Sequence, residues 1–67
     1  MLAVERRKQI LEQVHKDKKV IVSELSRQFR VSEETIRRDL EKLAEDGHVI
    51  KSYGGAVINE IGSIDLP

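Results

Sequence analysis

The sequence predicts a small, mainly α fold with a minor β part: three helices closed by a short β-hairpin. Three observations predict it. Residues 32–43 form a capped amphipathic stretch, Ser32-Glu33-Glu34-Thr35-Ile36-Arg37-Arg38-Asp39-Leu40-Glu41-Lys42-Leu43. A shorter helical stretch with its own serine precedes it, across a turn of about three or four residues. Two β-branched runs flank Gly54-Gly55.

At 67 residues the chain is one small domain, with no room for a deep substrate cleft beside a core. Hydrophobic residues make up 39%, which excludes wholesale disorder. There is no cysteine, so burial and helix packing must supply the stability that disulfides or a thiolate zinc site give elsewhere. That usage fits the cytoplasm. No apolar run approaches the roughly 20 residues of a membrane span, and no signal-peptide core is present.

The first helix is expected over residues 4–15, with Val4, Leu11 and Val14 on one face and Ile10 beside them. Glu12 and Lys16 stand at i, i+4, an orientation that supports a helix. Residues 15–19 form a charged connector. Val20-Ile21-Val22 is a minimal strand that needs a partner. Ser23 is expected to cap a second helix running from residue 24 to 28 or 29, with Leu25 and Phe29 on its inner side. Arg30 occupies the turn. Ser32 then caps the third helix, whose first turn carries Glu33 and Glu34 where the dipole favours acids. Ile36, Leu40 and Leu43 recur at i, i+4, i+7, and Gly47 follows as the residue that closes the helix left-handed. Residues 48–52 and 56–60 are expected as strands around a Gly54-Gly55 turn, with Tyr53 opposite Ala56 and Lys51 opposite Ile58. Val20-Ile21-Val22 is the natural third strand.

This order is that of a winged helix-turn-helix. At about 100° per residue, Arg38 projects away from the apolar stripe, with Glu34 beside it and Thr35 and Arg37 on its flanks. A solvated charged face is the plain alternative, since such faces are common. In a duplex, Arg38 suits a guanine edge, while Ser32, Thr35 and Arg37 suit phosphates. Lys51 and the Tyr53-Gly54-Gly55 tip suit the backbone or minor groove. Arg6, Arg7 and Lys8 form a short basic run that reads either as a solubilising face or as a phosphate clamp at the edge of the contact, with Arg6 and Arg7 as the candidate contacts, and Ser23 and Arg30 complete the candidate set. Asp39 flanks the stripe and is expected to orient Arg6 or Arg7, or to pair with Lys42 at i, i+3.

The net charge is zero, with 12 basic and 12 acidic residues, whereas nucleic-acid binders are usually basic. The distribution answers this. Residues 27–38 carry four arginines against two glutamates, and residues 39–46 carry four acids against one lysine. Phosphates respond to the field within about 8 Å, not to the total. His15 and His48 have no cysteine or carboxylate cluster beside them, so no metal or other cofactor is expected. No nucleophile elbow or phosphate loop is present, so neither is catalysis.

The residues also carry a resemblance. Arg6, Ile10 and Val14 at four-residue steps, the run Ser32-x-x-Thr35-Ile36-Arg37-Arg38-Asp39-Leu40, and the tip Tyr53-Gly54-Gly55-Ala56 resemble the N-terminal DNA-binding domain of DeoR-type bacterial transcriptional regulators. The likeness covers roughly residues 4–57. It implies a repressor of sugar or nucleoside catabolism genes that binds a double-stranded operator. It further implies a C-terminal domain, outside these residues, that binds a phosphorylated sugar and forms a homo-oligomer. Residues 1–58 would then be the DNA-binding domain, monomeric alone, and residues 59–67 a linker. The competing reading is a winged-helix module that binds protein.

Overall fold

The computed structural model describes residues 1–60. Its elements run α1 (Ala3–Asp17), β1 (Lys19–Ile21), α2 (Val22–Phe29), α3 (Glu33–Glu45), β2 (Val49–Ser52) and β3 (Gly55–Ile58). The three strands make one antiparallel sheet in the order β1-β3-β2. Three helices and a β-hairpin joined by a third strand are the winged helix-turn-helix expected.

The helix ends follow local chemistry. Ser32 Oγ accepts from the Thr35 N–H at 3.1 Å, which starts α3 where the cap was expected. At the other end Gly47 has φ +84°, and the paired bonds His48 N–H to Leu43 O and Gly47 N–H to Ala44 O close the helix. α1 runs past its expected end because Lys18 itself turns left-handed, at φ 72°, and its N–H reaches Val14 O. Nothing in a lysine signals that role.

α2 departs from expectation in an instructive way. Ser23 does not cap it. The helix begins two residues earlier than expected, at Val22, after Ile21, and makes no side-chain cap bond. The Val22 N–H is instead satisfied by Gly54 O at 2.8 Å, from the hairpin tip. Ser23 therefore lies in the first turn, and Val22, expected in the strand, joins the helix.

The hairpin is paired two residues away from the expected alignment. Lys51 lies opposite Ala56 and Ser52 opposite Gly55, so Tyr53-Gly54 is the two-residue loop. Gly54 has φ +77°. Gly55 belongs to β3, where a Cβ would lie 2.0 Å from Val20 O. Its hydrogen side chain lets β1 close on β3. A slip of two preserves which face each residue takes, so Val49, Ala56 and Ile58 still share the inner face. Asn59, expected to begin the linker, donates from its side chain to Gly47 O at 3.0 Å. The remainder of the expected linker, residues 61–67, lies outside the described residues.

Ile10, Val14, Val20, Val22, Leu25, Ile36, Leu40, Leu43, Val49 and Ala56 form the core. The inward face of α1 is the Arg6, Ile10, Val14 row. Val4, expected on that face, is 64% exposed, and Leu11 packs at the margin.

Candidate nucleic-acid interface

α3 presents its outer face because its inner face is fixed. Ile36 and Leu40 are at most 2% exposed, and Leu43 completes their stripe. Arg38 then points outward with 78% of its side chain exposed. At about 1.5 Å per residue the 13 residues of α3 span about 20 Å, enough to cross a major groove about 12 Å wide. Ser32 and Thr35 sit at its start, their hydroxyl oxygens 3.0 Å apart. Arg38 Nη2 donates to Glu34 Oε1 at 3.3 Å, and Arg37 Nη2 to Glu33 Oε1 at 3.1 Å.

The rotation of α3 is set from α1. Asp39 is 2% exposed, and its two carboxylate oxygens accept from Arg6, Oδ2 from Nε and Oδ1 from Nη2 at 3.1 Å. Arg7 Nη1 lies 3.5 Å from Oδ1. Both arginines named as possible partners are therefore engaged, and Lys42 is not the partner. Arg6, expected as a phosphate contact, has only 11% of its side chain exposed and its guanidinium fork committed to Asp39. Here it ties α1 to α3. The hydrogen bond to Asp39 raises its pKa, the carboxylate's charge adds to that, and burial opposes it. Arg6 remains a cation across the working pH range. Arg7, half-buried, leans toward the same carboxylate.

On the wing, Tyr53 is fully exposed at the tip. Gly54 is exposed beside it, but Gly55 is buried against β1. Lys51 Nζ lies 3.8 Å from Glu41 Oε2, linking the wing to α3. Between them runs a groove of about 200 Å³, lined by Arg37, Leu40, Glu41, Lys51, Ser52 and Gly54 among others. Arg30 is exposed in the turn between α2 and α3 at φ 57°, and Ser23 is half-buried at the start of α2. The structure thus gathers Ser32, Glu34, Thr35, Arg37 and Arg38 on α3, sets Lys51 across a groove from Arg37, and withdraws Arg6 and Gly55. Sequence reasoning missed the pairing role of Glu33 and Glu41. The first was readable from its i, i+4 spacing to Arg37; the second depends on tertiary contact.

Among the described residues no helix is long and apolar enough to cross a membrane, and no group of three or more histidines and acids is placed to hold a metal ion.

Residues 6–61 match the family model of the DeoR-like helix-turn-helix domain. The chain is 53% identical over 57 residues to an uncharacterized HTH-type transcriptional regulator, YulB, of Bacillus subtilis, covering 85% of this chain and 22% of the relative. It is 47% identical over 51 residues to an L-fucose operon activator of Haemophilus influenzae, covering 76% of this chain and 20% of the relative. It is 40% identical over 67 residues to the glycerol-3-phosphate regulon repressor of Escherichia coli, covering all of this chain and 26% of the relative. The chain thus spans about a fifth to a quarter of the length of these relatives. No solved structure gives a significant match to the chain. With the family model covering nearly all of the folded residues, the chain belongs to the DeoR-like helix-turn-helix domain family.

Proposed function

We propose that these residues are the sequence-specific, double-stranded DNA-binding domain of a transcriptional regulator, with α3 in the major groove. The observation that carries this is the buried Ile36/Leu40/Leu43 stripe, which turns Arg38 outward in the N-terminal half of α3. In this reading Arg38 reads a guanine edge, and Arg37, Ser32 and Thr35 meet phosphates. Arg30 and Lys51 add backbone contacts from the turn and the wing. Tyr53 and Gly54 lie against backbone or minor groove. Arg6 supports the surface from behind and does not touch DNA.

A role as a repressor of sugar or nucleoside catabolism genes is supported by the relatives named as an aga operon repressor and a glycerol-3-phosphate regulon repressor, while the relative named as an L-fucose operon activator favours activation. In the longer protein, a phosphorylated sugar and self-association act through segments beyond this domain, in the cytoplasm, and no catalytic step is involved. One domain neutralises few phosphates, so it binds weakly alone.

The test is enrichment of binding sequences from a randomised duplex pool by the 67-residue chain, followed by an amide chemical-shift titration with the enriched duplex. A recurrent motif is expected, with the largest shifts at residues 32–38 and 51–54. No enrichment over the starting pool, or shifts that spare residues 32–38, overturns the proposal.

A further inference from the structure

The crest of α3 carries a carboxylate that phosphate binding has no use for. At about 100° per residue, Glu34 and Arg38 stand about 160° to either side of Ile36, opposite the buried stripe. Glu33 stands only about 60° from Ile36, on the flank that also carries Arg37. Exposure follows the same order: 72% for the Glu34 side chain and 47% for Glu33. Further along, α3 ends in Glu41, Glu45 and Asp46. Phosphates repel that end, so the N-terminal half is the part suited to a groove, with Glu34 and Arg38 foremost. The fold does not require Glu34. Among the described residues its side-chain partner is Arg38, whose Nη2 donates to Oε1 at 3.3 Å. Both groups are exposed, and such a pair is worth only about twofold in an equilibrium. Glu33 already places an acid in the first turn, where the helix dipole favours one.

We infer that Glu34 is a specificity-determining residue: it accepts a hydrogen bond from the amino group of a cytosine, one or two base pairs from the guanine read by Arg38. The inference rests on the DNA-binding reading above. An ionised carboxylate offers acceptors alone. In the major groove the base donors are cytosine N4 and adenine N6. Adenine sets its N7 acceptor beside N6, which repels a carboxylate, whereas cytosine sets no acceptor there. Guanine and thymine present only acceptors, so a carboxylate facing them loses its water and gains no partner. The contact therefore depends on which base is opposite, unlike an ion pair, which acts on every duplex alike. From Glu34 to Arg38 the helix advances about 6 Å, or one to two base-pair steps of about 3.4 Å. Arg38 can hold Glu34 through one N–H while two others reach guanine O6 and N7. The bond between them engages Oε1 of Glu34 and leaves Oε2 for the cytosine.

The experiment takes the 67-residue chain and its variants Glu34→Ala, Glu34→Gln and Glu33→Gln, each checked by circular dichroism, through the randomised-duplex enrichment. Fluorescence anisotropy then measures every single base-pair change in the wild-type motif. That motif should hold a cytosine one or two pairs from the guanine whose preference Arg38→Ala abolishes. Replacing the cytosine pair should weaken the wild type by about 5- to 150-fold. Glu34→Ala should lose this preference and keep the one for guanine. Glu34→Gln should move it toward adenine, because an amide matches N6 and N7 together. Glu33→Gln should leave both preferences near wild type. A wild-type motif with no cytosine at those pairs overturns the inference. So does a Glu34→Ala variant that keeps every base preference, including one that binds all duplexes more tightly to the same extent, as removal of a solvated charge would give. Loss of the guanine preference alone also overturns it, since that marks a side chain that merely positions Arg38. A wild type that enriches no sequence at all overturns the DNA-binding reading itself, and is seen before any variant is made.

Discussion

Asp39→Asn puts the α1–α3 tie to the sharpest test. The substitution keeps the shape of the side chain and removes its charge. Asp39 is 2% exposed and faces Arg6, which it binds through both oxygens, and Arg7 at 3.5 Å. An asparagine there turns a donor toward donors and leaves two guanidinium groups without their anion. Breaking a buried pair by removing one partner costs about 3–5 kcal/mol. Arg6 and Arg7 keep 11% and 26% of their side chains exposed and reach some water, so the lower end, about 3 kcal/mol, applies. At about 0.05–0.15 kcal/mol per residue, the 60 described residues have roughly 3–9 kcal/mol in all. The melting temperature should fall by roughly 12–24 °C, followed by far-ultraviolet circular dichroism. The double variant Arg6→Met/Asp39→Leu removes both charges and should recover most of the loss. A single variant that melts within about 4 °C of wild type refutes the reasoning, and so does a double variant that melts below the single one. Because the Arg6 pKa is raised on folding, its share of the stability is complete below the ordinary arginine range and is lost only above it. Thermal stability should therefore show no arginine titration between neutral and mildly alkaline pH.

Leu40→Ala should cost about 2–5 kcal/mol, since Leu40 is 2% exposed at the centre of the stripe; a melt with almost no shift places it outside the core. Gly55→Ala drives a methyl to 2.0 Å from Val20 O, so β1 must peel from β3. Amide exchange across both strands should quicken, at a cost of about 1–3 kcal/mol, and unchanged exchange counts against the close approach. Arg38→Ala should lose about 1–3 kcal/mol of discrimination at one base pair, while Lys51→Ala should weaken all duplexes alike and flatten the salt slope by about 1. Retained operator preference in the Arg38 variant assigns the reading to another residue.

Much of α3 was legible because its determinants are local. Ser32, the Ile36/Leu40/Leu43 spacing and Gly47 each act within one or two turns, and each behaves as its chemistry dictates. Ser23 failed as a cap because the helix starts ahead of it, at Val22, whose N–H is taken by Gly54 O, 32 residues along the chain. The hairpin alignment failed for a similar reason. Gly54-Gly55 reads as a turn in isolation, but the second glycine is needed where β1 approaches. On α1, Val4 looked like core and is exposed, whereas Leu11 packs against the core's margin; Arg6 was read both as a phosphate contact and as a partner for Asp39, and the buried carboxylate on another helix decides for the second. The outward residues of the candidate interface follow from the helix period. Their carboxylate partners are half legible, Glu33 by spacing and Glu41 only in three dimensions.

The middle strand of the sheet is also the last of the three in the chain. β3 slots between β1, whose Lys19 it meets with Val57, and β2, whose Val49 it meets with Ile58. A polypeptide made from its N-terminus can coil its helices early but has no seam to seal until this strand arrives. A nascent chain halted short of residue 55 therefore holds a reading helix with no finished scaffold. On the DNA-binding reading proposed above, competence for an operator arrives only with the residues that complete the sheet.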